Sequence, residues 1–307
     1  MDLLEGDALT LTVTDGDEVM LTKAIGYSDP AKTVDILLVA GQSNALGQEG
    51  NAEESLKPEA GTVYYQTMGN TMLSDSGNKG WDSALGKRWH ELTGHTVLVV
   101  KAAWGGTGFP TKANMDTGAV STSGSDRYGR WDPDYSGSVR NCYTSAKTLY
   151  NTAVASIDTN TYKIGSRVYF WNQGENENNS YTAAEYEAAF MELHNRLTTE
   201  LGTESTRLEY GGILPVRSSY NDGFPNLKLT GPRIAQYKMA GERDDLMVVF
   251  LTEDPGFAYP MRGITSPWRE YVLQHFSNCF IRIGVDNPGK NEAKGIVEAL
   301  FRKEEQT

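Results

Sequence analysis

The feature that most constrains the fold is the alternation of short apolar segments with longer amphipathic segments. Five short segments are apolar almost throughout, as a strand buried on both faces of a parallel sheet requires. They comprise residues 34–40, 96–102, 167–171, 208–214 and 246–251. Strands separated at these intervals by helical segments predict a doubly wound α/β sandwich, in which ligands bind at the carboxyl ends of the strands.

Helical patterns occupy the intervals between these strands. Apolar residues recur at a spacing near 3.6 from Trp81 to Leu92, and Gly94 supplies a stop signal. A second such pattern begins at Tyr186 and ends before Gly202. Two further helices are predicted over residues 139–157 and 291–301.

Two parts of the chain depart from this alternation. Residues 1–33 contain two alternating β runs around Asp15, Gly16 and Asp17, and predict a β-hairpin appendage ahead of a main domain at 34–307. The acidic turn could bind a cation, but a polar turn is the simpler reading. Residues 107–137 form a long segment rich in Gly, Ser, Thr and Asp, of a length typical of functional loops.

Composition excludes several classes of partner. The 307 residues carry a formal charge of −12 and a pI near 4.9, which argues against nucleic acid or an anionic membrane as a partner. No apolar window predicts a membrane span, and the first residues do not resemble a signal peptide. Action on glycans outside a cell or on a particle would then require a leader already removed or a larger assembly. Cys142 and Cys279 fit no metal spacing and are expected to be buried thiols, or else one disulfide.

Three polar stretches follow three of the predicted strands. Ser43 lies in Gly-Gln-Ser-Asn at 41–44, after the first strand of the main domain. The stretch is not a Gly-x-Ser-x-Gly elbow, because Ala45 replaces the second glycine, and Ser43 could equally be a helix N-cap. Residues 101–108 (KAAWGGTG) and 171–176 (WNQGEN) follow the next two strands. Converging strand ends would bring together a hydroxyl, N–H donors and a carboxylate.

The stretches GQSN at 41–44, GGT at 105–107 and WNQGE at 171–175 resemble the first three blocks of the SGNH hydrolase superfamily, in its sialate O-acetylesterase-like branch, carbohydrate esterase family 6. The resemblance implies a five-stranded parallel, flavodoxin-like sheet in a three-layer α/β/α sandwich, and hydrolysis of acetyl esters on a glycan without metal or cofactor. It makes Ser43 the nucleophile. The Ser43 N–H, the backbone of Gly106 (or its neighbour Gly105) and the Gln173 amide would bind the oxyanion.

The general base of such an enzyme is a histidine, and the chain contains four. His90 and His194 lie in helical patterns and His95 directly follows one, so these three are expected to be structural. His275 lies in Gln-His-Phe-Ser near the C-terminus, which resembles the last block of the family. The resemblance therefore assigns the base to His275.

The acid that orients the base is less clear, because the family places an aspartate three residues before the histidine and this chain has Val272 there. Glu175 is the first candidate, Asp254 the second and Glu270 the third. A backbone carbonyl at Val272 is a further alternative.

Aromatic residues of the long loop predict a sugar-binding platform. Phe109, Tyr128, Trp131 and Tyr135 could stack against a pyranose ring, with Asn44 as a polar contact to the substrate. Alternatively, Trp131 packs the loop onto the domain and the tyrosines face solvent.

Arg233 resembles a family position behind the site, and a surface arginine is an equal alternative. Two other functions stay open at this stage. A carbohydrate-binding module would retain the fold without turnover, and a lipid-directed esterase would prefer longer acyl chains.

Overall fold

The computed structural model describes residues 8–15, 18–26, 29–46, 58–72, 82–110, 127–216 and 230–249. The strands are β1 Ala8–Asp15, β2 Glu18–Gly26, β3 Thr33–Gly41, β4 Val63–Tyr65, β5 Thr67–Thr71, β6 Thr96–Ala103, β7 Gly129–Arg130, β8 Arg140–Asn141, β9 Lys163–Asn172, β10 Tyr210–Ile213 and β11 Leu246–Val248. The α-helices are α1 Ser43–Leu46, α2 Asp82–Thr93, α3 Cys142–Ala155, α4 Ala183–Glu200 and α5 Gly231–Glu242. Short 3₁₀ helices cover Pro30–Lys32 and Glu204–Thr206.

The central sheet has the strand order β11-β10-β9-β3-β6-β4-β5, and its pairs are parallel except β4 with β5. The five predicted strands are β3, β6, β9, β10 and β11. Numbered along the chain, they lie in the order 2-1-3-4-5, which is that of flavodoxin-like sheets.

The expected number of five strands is wrong, because β4 and β5 extend the described sheet to seven beyond β6. The strand β4 has three residues, and the sequence of β5 is Thr-Met-Gly-Asn-Thr with its last three residues exposed. Neither strand carries the apolar run by which the buried strands are recognised.

Helices cover both faces of the sheet, which gives three layers. Ile36 and Leu38 of β3 belong to an apolar cluster that includes residues of α3, α4 and α5. Leu37 and Val39 point to the opposite face, where the cluster includes Trp89 of α2. All residues of β3 are buried, as expected for a strand covered on both faces.

The two N-terminal strands pair with each other in an antiparallel hairpin, with Ala8 opposite Gly26. This confirms the predicted hairpin, whereas the division of the chain at residue 33 stays a prediction.

Cys142 at the start of α3 is a free, buried thiol, and burial raises its pKa to about 12. Cys279 and the predicted helix at 291–301 lie outside the described residues. No helix in the described part is both long and apolar enough to span a membrane.

Candidate active site

The candidate site lies where the strand order reverses, at the carboxyl ends of β3 and its neighbours. Ser43 follows β3 after one residue, Gln42, and is the first residue of α1. The Gln42 N–H donates to the Asn172 carbonyl at the end of β9 (3.1 Å), and the Trp104 N–H after β6 donates to the Gly41 carbonyl (3.2 Å). These bonds join the loops after β3, β6 and β9. In doubly wound sheets this is the position where ligands bind.

Gly41 allows the close approach of β3 to β9. Its φ is +141°, and a Cβ atom built on it would lie 2.1 Å from the Asn172 carbonyl oxygen. Any other residue would push the strands apart immediately before the serine. The structure therefore requires glycine at position 41 of GQSN, independently of any reaction.

Ser43 is not the N-cap of α1. The Leu46 N–H donates to the Gln42 carbonyl (2.8 Å), so Gln42 holds the N-cap position and Ser43 follows it. Ser43 is partly buried, and among the described residues no hydrogen bond of its hydroxyl is present. The structural alternative for this serine is therefore wrong.

Asn44 and Glu175 meet across the crevice. The Asn44 Nδ2 atom donates to Glu175 Oε1 at 2.5 Å. The side chain that was expected to contact substrate thus bonds the residue that was expected to orient the base. His275, Asp254, Glu270 and Val272 lie outside the described residues, so the contact between Glu175 and His275 stays a prediction.

Gly106 lies beside the exposed ring of Tyr128. Its φ of +67° is in the left-handed region, and a Cβ atom there would lie 2.4 Å from Tyr128 Cδ2. Tyr128 is 57% exposed, and its backbone N–H donates to the Gly106 carbonyl (3.4 Å). The structure thus brings a candidate oxyanion donor next to a candidate sugar-binding ring. Both roles stay predictions.

Phe109 and Trp131 do not form part of a sugar platform. They are only 1% and 0% exposed. Phe109 packs edge-on against Tyr186, with ring centroids 5.5 Å apart, and Trp131 packs edge-on against Trp171 at 5.0 Å. The Trp131 Nε1–H donates to Thr107 Oγ1 (3.2 Å). These rings pack the loop onto the sheet, so the alternative reading of Trp131 is the correct one.

Gln173 is fully buried, and its amide faces protein groups. Its Nε2 atom donates to Glu177 Oε2 (2.5 Å) and to Gln42 Oε1 (3.3 Å), and its Oε1 atom accepts from the Tyr186 hydroxyl (3.1 Å). Both amide hydrogens are therefore used within the protein. This arrangement does not offer the Gln173 side chain to a substrate, contrary to the expected oxyanion role.

Glu177 is a residue that the sequence analysis missed. It is fully buried, and its Oε1 atom accepts from the Phe109 N–H (2.8 Å) while Oε2 accepts from Gln173. The pKa of Glu177 is raised to about 8, chiefly by burial and in smaller part by nearby Glu175. Both hydrogen bonds act in the opposite direction and lower it. The only sequence signal was a second glutamate two residues beyond Gly-Glu, in a turn where an exposed acid is the usual expectation.

Two of the histidines lie at the opposite end of the strands from Ser43. His95 Nδ1 contacts the buried Asp35 carboxylate (2.9 Å), a bond that raises the pKa of His95, and His90 Nδ1 contacts the His95 carbonyl (2.7 Å). Asp35 lies near the amino end of β3. A strand rises about 3.3 Å per residue, so Asp35 lies about 20 Å from Gly41 along β3.

His194 is also engaged away from Ser43. It contacts the Tyr169 hydroxyl (2.7 Å) and Asp245 (3.0 Å), which directly precedes β11. Burial lowers the pKa of His194. As expected, all three of these histidines have structural partners.

Arginine side chains lie near the aromatic rings at this end of the sheet. The Arg127 guanidinium lies 4.9 Å from the centroid of the Tyr128 ring, and that of Arg140 lies 4.9 Å from the Trp104 ring. Arg233 on α5 is 0% exposed, so its reading as a surface residue is wrong. Among the described residues no three His, Cys, Asp or Glu side chains form a group that could hold a metal ion.

Neither a protein-family model nor a curated protein matches the chain. Two solved structures that do match are a protein from Arabidopsis thaliana and NanS. The first has a TM-score of 0.49 and 13% identity over 80% of this chain and 96% of that one. NanS has a TM-score of 0.49 and 14% identity over 90% of this chain and 99% of its own. The site is therefore interpreted from its own residues.

Proposed function

We propose that the chain is a serine esterase that hydrolyses acetyl esters on a carbohydrate, with Ser43 as its nucleophile. The observation that carries this proposal is the position of Ser43. It begins α1 at the carboxyl end of β3, where the strand order reverses and backbone bonds join three strand-end loops. A hydroxyl held there lies in the crevice where such sheets bind ligands.

In the proposed reaction, His275 accepts the Ser43 hydroxyl proton while Oγ attacks the acetyl carbonyl. The N–H groups of Ser43 and Gly106 bind the oxyanion that develops. His275 then gives its proton to the departing sugar oxygen, which leaves an acetyl group on Ser43. Water activated by His275 attacks this ester, releases acetate and restores the serine.

The choice of base is supported by the positions of the other histidines. His95 is held by Asp35 and His194 by Asp245, both near the amino ends of strands. Histidine is the usual general base at neutral pH, and of the other two in the chain His90 contacts the His95 carbonyl, which leaves His275. His275 is therefore the proposed base.

Glu175 has two proposed tasks. Its contact with Asn44 holds the nucleophile loop against the loop after β9. A carboxylate accepts several hydrogen bonds, so this contact is compatible with a second one to His275. We rank Glu175 ahead of Asp254 as the orienting acid because Glu175 lies on the strand end that carries Gln173 and contacts the nucleophile loop.

The carbohydrate assignment rests on the resemblance of the three polar stretches and on Tyr128. A flat, exposed ring beside a candidate oxyanion donor suits the C–H face of a pyranose whose acetyl group enters the crevice. Phe109 and Trp131, which are buried, have no part in it.

The test is acetate release from an activated acetate ester and from a panel of acetylated polysaccharides. Ser43→Ala should lower turnover at least about 10³-fold, and the matched variant of exposed Ser136 should leave it unchanged. A serine-directed phosphonate should add its mass at Ser43 alone. Residual turnover near one tenth in Ser43→Ala would refute the assignment. Sugar binding without turnover would indicate a binding module, and preference for long acyl chains a lipid-directed esterase.

A further inference from the structure

The Glu177 carboxyl is placed where three strand-end loops meet. It bonds the Phe109 N–H in the loop after β6 and the Gln173 amide after β9. Gln173 in turn bonds Gln42, the residue before Ser43. One fully buried carboxyl thus contacts two loops directly and the nucleophile loop through one side chain.

We infer that Glu177 is a positioning residue, whose carboxyl fixes the loops after β6 and β9 relative to the loop that carries Ser43. This inference rests on the proposed function. Glu177 bonds no atom of Ser43 or Gly106, so it acts through Gln173 and Phe109. Because the two loops carry Gly106 and Glu175, a shift of either one would move a group of the proposed site.

The surroundings of Gln173 explain why a carboxyl fits this position. The Tyr186 hydroxyl lies 3.1 Å from the Gln173 side-chain oxygen and 3.0 Å from its main-chain oxygen. Gln236 donates to that main-chain oxygen (2.8 Å) and to the Tyr186 hydroxyl (3.1 Å), so the single Tyr186 hydrogen is assigned to the side-chain oxygen. With its oxygen engaged by Tyr186, the amide presents N–H groups to Glu177. Two buried donors, the amide and the Phe109 N–H, therefore face the two acceptor oxygens of an ionised carboxylate. A residue without such oxygens would leave buried donors unsatisfied.

The protonation state of Glu177 should change this arrangement. A protonated carboxyl has to donate from one oxygen. Gln173 can accept that hydrogen bond only if its side-chain amide flips, so that its oxygen faces Glu177. The ionisable groups coupled to Glu177 among the described residues are Glu175 on the same turn and Tyr186 on α4. Since the pKa of Glu177 is raised to about 8, this flip of the Gln173 amide falls within the pH range in which a histidine-based esterase works.

The first measurement is the pH profile of kcat in the wild type on an activated acetate ester. We expect kcat to rise again above the titration of the base, with an inflection near the pKa of Glu177. Glu177→Gln should lose this inflection, because the amide does not titrate. A wild-type profile that is flat above the titration of the base would overturn the inference.

The second measurement separates kcat from KM. In Glu177→Gln the new amide presents a donor to the Gln173 amide, so kcat should fall about 10- to 100-fold while KM changes less than about twofold. Glu192→Gln makes the same chemical change on the exposed face of α4 and should leave both constants unchanged. Unchanged kcat in Glu177→Gln, or a loss confined to KM, would contradict the positioning role.

The third variant exchanges the two side chains, as Glu177→Gln with Gln173→Glu. It restores a donor opposite an acceptor at the same place, so kcat should recover to within about tenfold of the wild type. A kcat no better than that of Glu177→Gln would refute the inference. If the wild type hydrolyses no ester, the proposed function fails, and that result is distinct from an active wild type that does not respond to these changes.

Discussion

The titration of Glu177 gives a prediction about stability that does not depend on the reaction. Its pKa is raised from 4.5 to about 8 in the folded protein, chiefly by burial. Between these values the folded state retains a proton that the unfolded state has released. Stability therefore falls as pH rises, by about 1.4 kcal/mol per pH unit from this group. Over the whole interval the loss amounts to about 5 kcal/mol.

Replacement of Glu177 by Gln removes this dependence. We expect the free energy of unfolding of Glu177→Gln, relative to the wild type, to increase by about 5 kcal/mol between pH 4 and pH 9. Titrating groups that do not interact with Glu177 affect both proteins alike and cancel in the difference; Glu175 and Tyr186, which do interact with it, contribute a smaller residual. The mismatch with Gln173 adds an offset at every pH, so the change of the difference with pH is what reports the titration of Glu177.

The assay is urea unfolding followed by tryptophan fluorescence at a series of pH values. Glu192→Gln, which makes the same change at an exposed position, is the control. A flat difference for Glu177→Gln would show that Glu177 titrates alike in both states and would refute the reasoning. A difference that falls as pH rises would mean that the hydrogen bonds from Phe109 and Gln173 outweigh burial.

Two further predictions concern the crevice and the base. Gly41→Ala should destabilise the fold by about 3 kcal/mol in urea unfolding, because its Cβ atom would overlap the Asn172 carbonyl; a cost below 1 kcal/mol would contradict the close approach. His275→Asn should lower esterase turnover about 10²- to 10⁴-fold at neutral pH, whereas the same change at His90 should leave turnover near the wild type. Full activity in His275→Asn would refute the assignment of the base.

The sequence predicted those parts of the fold that depend on continuous buried strands. The strands β3, β6, β9, β10 and β11 carry apolar runs because both faces of each are covered, and such runs can be recognised in one sequence. The edge strands β4 and β5 have no such run. Their pairing depends on the neighbouring strand β6, and short exposed segments do not reveal that.

The position of Ser43 could be predicted for the same reason, because it lies two residues beyond a strand that the pattern identifies. The roles of aromatic residues could not. Phe109 and Trp131 lie in a polar loop whose composition suggested exposure, yet they fill space beside Trp171 that only the tertiary packing defines. Tyr128, in the same loop, stays exposed.

The amides and carboxylates of the site show a second limit. Sequence spacing places Gln173 and Glu177 near one strand end, but it does not determine which way each side chain points. The direction of the Gln173 side chain depends on Tyr186 of α4, and the Tyr186 hydroxyl is in turn bonded by Gln236 of α5. A motif that ends at Glu175 therefore omits Glu177, the carboxyl that accepts from the Gln173 amide.

The two expectations for Glu177→Gln have opposite signs, and this contrast distinguishes a functional residue from a structural one. A buried carboxyl whose pKa is raised lowers stability at neutral and alkaline pH, so a residue kept only for the fold would favour a neutral side chain. If Glu177 positions the strand-end loops, its replacement should weaken the decline of stability with pH and at the same time lower kcat. If Glu177→Gln instead lost stability at every pH, and its loss of kcat followed that loss of stability, Glu177 would be an ordinary packing residue. Natural proteins accept local costs of this kind mainly at functional sites. The buried position of Glu177, in the loop that carries Glu175 and bonded to the loop that carries Gly106, is consistent with such a cost.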